Sequence, residues 1–542
     1  MMSRRVPFVR WISSYNRNVL WADSMAGVTT AVMLIPQAMA YALLAGLQPI
    51  HGLYASIFPL IVYTFFGTSK QLSIGPVALL SIMNASAIGS IAVSGSEEFV
   101  ALTVALAFLV GGIKLALCLV RGDVLAALLS HPVIHGFIAS AAVLIALSQC
   151  KHLLGINLPR SAIATEIAWS VCKQYDAIHL PTVVVGVICC VVLLVLKRYA
   201  PKLPRALIVV FLSALCTWFF GLSAQGVAII GSVPAGLPPL GIPELQLDTV
   251  QRLLPSAFLI ALVSYVESYS LSKSFAINHR YQIDANQELL ALGLANTASA
   301  VSGGLAVSGG FSRSAVNDQA GARTPLSGTF TAVFIGLVVA FFGQSLYYVP
   351  NAVLGAIVFV ACLKLIDSSW FVSLWKKDGS DGFSSVVVFV AVIVFGIEIG
   401  LLIGLTNSLL VCVWRMKPNL FLSSLFTSAN EIILTEQDSI GVFAFPKFVF
   451  FFSVEYHTNA IQHSIRTSGL QKVIFQMSAV HYLDTSAAES IAQLSAVLLE
   501  QGVAVSFCQA SVGCEEILRY YVSDCAPCFY QHLSDALRSS ST

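Results

Sequence analysis

Apolar runs long enough to cross a lipid bilayer, fully or as half-helices, recur through the first 414 residues and constrain the fold more than any other feature. We place seven of them near residues 24–45, 50–66, 77–93, 99–119, 124–149, 182–197 and 205–221. Seven more lie near 253–275, 288–302, 311–320, 326–344, 350–366, 383–398 and 399–414. Only 10% of the residues are charged, against about 25% in a soluble domain. The pattern therefore predicts a polytopic α-helical membrane protein with 14 transmembrane segments.

The two series of apolar runs are interrupted by Gly or Pro at similar places. A Gly/Pro-rich connector from Gly231 to Gly241 separates them, and each series contains a short helix that opens at a Gly or Pro break, after Ile74–Val77 in the first and at Gly309–Phe311 in the second. Pro36 is expected to break the first crossing. Interrupted helices in corresponding positions of two halves point to a transporter binding site. Because seven crossings per half is an odd number, the sequence predicts 7+7 inverted repeats.

Basic residues predict the orientation, since Lys and Arg are enriched in cytoplasmic loops. They follow most even-numbered crossings, as Lys70, Arg121, Lys197, Arg198, Lys202, Arg205, Lys273, Arg280, Lys376, Lys377, Arg415 and Lys417. Residues 1–20 contain several arginines before a run long enough to span, so we expect a cytoplasmic N-terminal segment and no cleavable signal peptide. Both termini are expected in the cytoplasm, and the protein in the cell membrane, plasma or inner.

The composition changes near residue 430, after an expected linker at Thr427–Asn430. Ile440–Phe445, Lys472–Met477 and Gly502–Cys508 have the pattern of buried strands, and Ser486–Leu499 that of a helix. Alternating strands and helices predict a small α/β domain over 430–540, following a transmembrane transport domain over 21–420.

Several functional classes lack their signature in this sequence. The formal net charge of +2 gives no indication of nucleic-acid binding. The twelve cysteines are scattered without metal-ligand spacing, so we expect no structural disulfide and no metal site. No nucleophile–base pair or phosphate loop is visible. We expect neither an enzyme nor a bound cofactor.

The stretch Val307–Val316 concentrates features suited to anion binding. Gly309 and Gly310 permit a close backbone approach, and Ser312 and Ser314 suit an N-cap or the first turn of a helix, whose free N–H groups attract anions. Arg313 keeps its charge at membrane depth and needs a counter-ion, water or an anionic substrate. We interpret this stretch as an anion site at the bilayer midplane. The alternative is a lipid-edge loop whose arginine extends to the interface.

Glu267 is the only charged residue between Leu253 and Ser272. An ionisable residue inside a span is a functional hypothesis by default. A carboxylate near Arg313 and a bound dianion could change protonation as substrate arrives, as proton coupling requires. The alternative is a permanent structural pair between Glu267 and Arg313.

Uncharged residues of the first series could complete the pocket. Gln37 and Tyr41 lie four apart on one helical face, just after Pro36, and could ligate an oxyanion. Val77 and Ala78 follow Pro76 at a second helix start, whose dipole would also favour an anion. Ordinary hydrogen bonding and close packing between helices are the alternatives.

Ser486 lies between a predicted strand and the predicted C-terminal helix. Phosphorylation there would place negative charge at a helix N-terminus. The plainer interpretation, which we favour, is that Ser486 caps the helix.

These motifs together resemble the SulP family of anion transporters, which includes sulfate permeases, bicarbonate transporters, pendrin and prestin. The similar stretches of the transmembrane part are Asp23–Gly27, Ile35–Leu47, His51–Tyr54, Gly67–Ser69, Ile74–Ala78, Asn286–Leu289, Gly293–Asn296 and Gly309–Asn317. The C-terminal part resembles the family's STAS domain at Asp484–Ser486.

The resemblance implies an elevator-like motion of a core against a gate, with the anion bound between the third and tenth helix N-termini. Carried over, Gln37, Tyr41, Val77 and Ala78 line the pocket, Phe311 and Ser312 offer donors, and Arg313 supplies positive charge. Glu267 matches the glutamate of plant-like proton-coupled symporters, whereas sodium-coupled bicarbonate members use an aspartate in that helix. A homodimer and a cytoplasmic partner of the STAS domain are further expectations.

We therefore expect a proton-coupled sulfate symporter. An anion exchanger and a sodium-coupled bicarbonate carrier are the alternatives within transport. A non-transporting, anion-dependent membrane sensor is the alternative outside it.

Overall fold

The computed structural model describes most of the chain. Its residues are 7–12, 15–89, 91–119, 131–156, 163–200, 205–231, 236, 238–279, 281, 283–342, 347–363, 379–396, 399–400, 402–404, 406–407, 410–411, 432–435, 440–446, 448–449, 454, 457–458, 461, 465, 470–480, 482–522 and 528–538. The expected linker Thr427–Asn430 lies outside them, as do Arg121, Lys202, Arg280, Lys376, Lys377, Arg415 and Lys417.

The larger part of the protein is built from apolar helices. Those of the first series are α1 (Phe8–Ile12), α2 (Arg17–Leu44), α3 (Pro49–Tyr54), α4 (Phe58–Phe66), α5 (Ala78–Gly89), α6 (Glu97–Cys118), α7 (His131–Ser148), α8 (Cys150–Leu154), α9 (Ala164–Lys173), α10 (Leu180–Tyr199) and α11 (Arg205–Phe220). Those of the second are α12 (Leu247–Asn278), α13 (Ala285–Val301), α14 (Phe311–Gln319), α15 (Leu326–Phe342), α16 (Asn351–Cys362) and α17 (Gly379–Phe395).

The helices have the length and composition of membrane spans. Within the described residues, six candidate spans of at least 18 residues are apolar enough to cross, and shorter apolar helices accompany them. The ends of the observed helices lie within a few residues of the ends of most predicted apolar runs. The predicted break at Pro36 is wrong, because α2 continues through it to Leu44. Neighbouring packing retains the helix although Pro36 has no N–H to donate.

Two short strands join the two series at their centre. Strand β1 (Ile74–Gly75) pairs antiparallel with β2 (Ser308–Gly309), with Ile74 opposite Gly309 and Gly75 opposite Ser308. Gly310 N–H donates to the Ser73 carbonyl at 3.1 Å, and Ser73 N–H donates to Ser314 Oγ at 2.9 Å. Each strand leads directly into a short helix, α5 or α14. The breaks that the sequence analysis noted separately in the two series are therefore one structural unit.

The C-terminal domain has its own core and sheet. Strands β3 (Ile432–Thr435), β4 (Ile440–Ala444), β6 (Lys472–Gln476), β8 (Ala504–Cys508) and β9 (Cys528–Tyr530) form a sheet in that order, parallel except for the β3–β4 pair. The remaining elements are β5 (Phe448–Val449), β7 (Tyr482–Leu483), α18 (Thr485–Glu500), α19 (Val512–Tyr521) and α20 (Leu533–Arg538). The predicted strands and helix agree with these elements to within a few residues.

Candidate anion and proton site

The N-terminus of α14 is open on one side and buried on the other. Gly310 is its N-cap and has no side chain to satisfy the first N–H groups. Phe311, 71% exposed, and Ser312, also exposed, face outward, whereas Arg313 is only 1% exposed. Ser312 lies in the first turn rather than at the cap, and Ser314 holds the strand region through Ser73. The start of this helix therefore offers free N–H donors beside a buried cation, an arrangement suited to an anion.

The Arg313 guanidinium is held by backbone carbonyls. Its Nη1 donates to the Pro76 carbonyl at 2.6 Å and its Nη2 to the Ser308 carbonyl at 3.5 Å, while Nε has no hydrogen-bond partner among the residues that the structure describes. Among the described side chains, no carboxylate lies within ion-pairing distance of it. Burial contradicts the alternative in which Arg313 extends to the lipid interface, and the contacts leave one full positive charge available.

Glu267 is connected to Arg313 through a single residue. It lies in α12 and is partly exposed, and its Oε2 accepts a hydrogen bond from Ser308 Oγ at 3.3 Å. The Ser308 carbonyl in turn accepts from Arg313. The carboxylate and the guanidinium are thus linked through Ser308 without a direct ion pair. A permanent contact pair, the alternative raised from the sequence, is not what the geometry contains.

Ser308 belongs to a hydroxyl cluster that sequence reasoning missed. Its Oγ lies 2.8 Å from Ser268 Oγ and 3.1 Å from the Ser264 carbonyl, and Gly309 N–H donates to Ser268 Oγ at 2.9 Å. One hydroxyl hydrogen cannot serve Glu267 and Ser264 together. An ionised Glu267 takes that hydrogen, whereas a protonated Glu267 can donate to Ser308 and release its hydrogen to Ser264. The cluster can therefore satisfy both protonation states.

The first-series residues approach this region from α2. Gln37 is 5% exposed and Tyr41 8% exposed. Gln37 Oε1 has no hydrogen-bond partner among the described residues, and α2, which carries Gln37 and Tyr41, packs against α14. A buried polar atom without a partner requires an explanation, and a bound ligand or water supplies one.

Val77 and Ala78 lie at the start of α5, next to Pro76. Val77 is buried at 6% and Ala78, the first residue of α5, is partly exposed. Because Arg313 donates to the Pro76 carbonyl, the starts of the two short helices are in contact. The structure thus brings the candidate residues of α2, α5, α12 and α14 into one region.

Ser486 lies far along the chain, in the C-terminal domain, and is not the helix cap that we favoured. Asp484 is the N-cap of α18, with its side chain accepting from Ala487 N–H, because its carboxylate reaches the free N–H groups better than a residue already inside the first turn. Ser486 itself is 3% exposed. Its neighbour Thr485 donates from Oγ1 to Asp381 in α17 of the helical part. Ser486 therefore stands beside a contact between the two parts of the chain, and its regulatory role stays a prediction.

No group of three or more His, Cys, Asp or Glu residues in the described ranges could hold a metal ion. The site chemistry is that of one cation, one carboxylate, hydroxyls and helix N–H groups. Such a set can hold an anion, and its carboxylate can exchange a proton.

Comparison with known proteins places this chain in a family. Residues 20–391 match the sulfate permease family and residues 431–536 match the STAS domain. The chain is 33% identical over 517 residues to sulfate transporter 4.1, chloroplastic, of Arabidopsis thaliana, covering 90% of this chain and 75% of the relative. It is 34% identical over 410 residues to a probable sulfate transporter of Mycobacterium tuberculosis, covering 76% of this chain and 73% of the relative.

Solved structures share the fold. The overall structure of SLC26A9 matches with a TM-score of 0.72 at 21% identity, covering 99% of this chain and 92% of that one. The transmembrane domain of the cyanobacterial bicarbonate transporter BicA matches with a TM-score of 0.62 at 22% identity, covering 72% and 98%. These likenesses confirm the expected helical transmembrane fold, and the family matches confirm the expected STAS domain. The chain is a member of the sulfate permease family, with a multi-pass transmembrane domain followed by a STAS domain.

Proposed function

We propose that this protein is a secondary active transporter that moves an inorganic oxyanion, sulfate, together with a proton. It belongs to a family of membrane transporters, not of enzymes. Two curated relatives that cover three quarters or more of the chain are named as sulfate transporters. In this proposal the anion binds at the N-terminus of α14, lined by Gln37, Tyr41, Val77, Ala78, Phe311 and Ser312, with Arg313 as the positive charge.

The observation that carries the proposal is the link from Glu267 through Ser308 to Arg313. An ionised Glu267 offsets the positive charge of Arg313 and competes with an arriving anion. Protonation removes that competition, so a proton and an anion favour each other's binding. This linkage is reciprocal, because each ligand must raise the other's affinity by the same factor. Cooperative binding of the two ligands is what symport requires.

We further propose an elevator-like movement of the unit that contains the paired strands. Strands β1 and β2, together with α5 and α14, are joined by hydrogen bonds across the two series. A unit held together in this way would carry the bound anion without changing its contacts. We propose the cell membrane as its location, with both termini cytoplasmic, and a homodimer whose STAS domains meet each other or a cytoplasmic partner.

Uptake of labelled sulfate into proteoliposomes tests the function. An inward proton gradient should drive accumulation, whereas an inward sodium gradient or an internal counter-anion should not be required. Sodium-driven uptake would instead favour a sodium-coupled carrier such as a bicarbonate transporter. A requirement for an internal anion would favour an exchanger. Sulfate binding without any uptake would favour a non-transporting sensor.

A further inference from the structure

Lys114 is a buried cation that the proposed site does not yet use. It is the only basic residue of α6 and is 0% exposed, and its Nζ has no hydrogen-bond partner in the described part of the chain. It lies four residues before the end of α6 at Cys118. A lysine so near a helix end normally extends to the membrane surface. Its complete burial places the ammonium group inside the protein instead, where a charged group is a functional hypothesis by default.

The surroundings of Lys114 contain one strong candidate for its counter-charge. Helix α6 packs against α12, α13 and α5. From α12, which packs against α6, the one charged residue between Leu253 and Ser272 is Glu267. From α13, Gly293 and Thr297 lie against Gly111, one turn before Lys114, and are uncharged. The sequence of α5 contains no ionisable residue.

The other charged groups nearby are already engaged or act on Glu267 itself. Glu288 of α13 accepts from Thr68, Ser69 and Tyr63, and Asp284 acts on Cys118. Glu267 is thus linked to Arg313 through Ser308, and its helix α12 packs against α6, which carries Lys114.

We propose that Lys114 supplies the second positive charge of the anion site and thereby selects a divalent anion that enters with one proton. This inference rests on the proposed function and deepens it. With sulfate bound and Glu267 protonated, Arg313 and Lys114 together balance the two negative charges, and the loaded site is neutral. A monovalent oxyanion gives a neutral site only when Glu267 is ionised, so it brings no proton. A neutral loaded site is the form that costs least to hold in a low-dielectric interior.

The decisive variant is Lys114→Met, which removes the charge and keeps most of the side-chain length. Sulfate and nitrate uptake are compared in proteoliposomes, with Lys114→Arg as the matched control. We expect the KM for sulfate to rise roughly tenfold, within the usual range of coupling between sites. The KM for nitrate should stay unchanged or fall, and Lys114→Arg should keep the wild-type ratio. An unchanged ratio of the two KM values in Lys114→Met overturns the inference.

Two further measurements separate this inference from proton coupling and from misfolding. In a Glu267→Gln background, where no proton site remains, Lys114→Met should still weaken sulfate relative to nitrate. That result would stand even if wild-type uptake ignored the proton gradient, which would defeat the proposed function alone. In the wild-type protein, a proton gradient should stimulate sulfate uptake and leave nitrate uptake unchanged. Equal stimulation of both anions overturns the charge balance without any variant.

Discussion

Arg313 keeps a full charge in an apolar setting because backbone carbonyls, not an acid, hold its guanidinium. A carboxylate in direct contact would neutralise it and reduce its attraction for an anion. Carbonyl dipoles solvate the cation while leaving its charge unbalanced. In the proposed site, an anion would therefore meet a positioned cation and helix N–H donors at little cost in rearrangement.

Gly310 is the residue that lets Arg313 take this position. A Cβ at Gly310 would lie 2.6 Å from Arg313 Cζ, too close for any real contact. Gly310→Ala should displace the guanidinium and raise the KM for sulfate about tenfold or more, without unfolding the protein, because the Gly310 backbone is extended. Gly112→Ala, which meets nothing within 4 Å, is the control for sulfate uptake. Equal KM values in the two variants would contradict the account.

Ser308 should tune the proton site because it is the hydroxyl partner of Glu267. Ser308→Ala removes the hydrogen bond to Glu267 in both protonation states, but the bond to the ionised carboxylate is the stronger one, at about 1.5–3 kcal/mol against about 0.5–1.5 kcal/mol for a neutral pair. The protonated form should then persist to higher pH, so the pH profile of sulfate uptake should move in the alkaline direction. Ser140→Ala removes a buried hydroxyl that bonds only within α7 and should leave the profile in place. An unchanged pH profile in Ser308→Ala would show that Ser308 does not influence the protonation of Glu267.

Sequence reasoning can find rare residues in a membrane span but not their ordinary-looking partners. Glu267 and Arg313 stand out because charges are costly at such positions. Ser264, Ser268 and Ser308 do not, since serine is common in helix interfaces and only the strand pairing brings Ser308 to α12. Lys114 lies near the end of a predicted crossing, where a lysine ordinarily faces the interface.

At the scale of elements, hydrogen bonds between residues of the two series hold the helices and strands around the site in place. Glu288 at the start of α13 accepts from Thr68 N–H and Oγ1 at 2.6 Å each, from Ser69 N–H at 3.1 Å and from Tyr63 OH at 2.7 Å. Asp23 of α2 accepts from the N–H groups of Arg323 and Thr324 just before α15. The loop leading to β1 is thus held by the second series, and the loop after α14 by the first.

Glu288 should therefore matter for stability. Glu288→Ala leaves buried donors of the Thr68–Ser69 loop without an acceptor, and each buried donor left unsatisfied costs about 1–3 kcal/mol. We expect a clearly lower Tm in detergent, measured by tryptophan fluorescence. Glu98→Ala, at an exposed position in the first turn of α6, should change Tm little. A Glu288→Ala protein as stable as Glu98→Ala would refute the structural role.

Element boundaries were predictable where composition decides them and not where tertiary packing does. The apolar runs predicted most helices of the membrane part. The continuity of α2 through Pro36 was not predictable, because surrounding contacts keep the helix intact after one backbone hydrogen bond is lost. The cap of α18 was assigned to the wrong residue, since Asp484 and Ser486 are both good cap types and only the backbone geometry separates them.

At the scale of the whole molecule, two cores meet through a polar contact. The STAS domain folds around its own sheet, and Thr485 at the start of α18 donates to Asp381 at the start of α17. No sequence pattern predicts this pairing, because the two residues lie in separate domains. This hydrogen bond links the STAS domain directly to a helix of the membrane part.

The STAS domain should be sensitive to acid through His457. Burial lowers the pKa of His457 from 6.5 to about 4. Between these two pH values the unfolded chain binds a proton at His457 and the folded domain does not. The stability of the domain is therefore full above pH 6.5 and falls as the pH drops toward 4. The loss at about pH 5 should be about 2 kcal/mol.

Hydrogen exchange of STAS peptides in the full-length protein, corrected for the intrinsic rate, measures this loss. His457→Gln should reduce the acid sensitivity, whereas His532→Gln, at an exposed position, should retain it. Equal acid sensitivity in both variants would rule out His457 as its source.

Uptake with and without a proton gradient tests whether Glu267 carries the proton that accompanies the anion. Labelled sulfate uptake is compared in proteoliposomes containing wild type, Glu267→Gln or the exposed control Glu98→Gln, with and without an inward proton gradient. The account predicts that the gradient drives accumulation in wild type and the control, while Glu267→Gln exchanges sulfate but ignores the gradient. Gradient-driven accumulation by Glu267→Gln equal to that of wild type would contradict it.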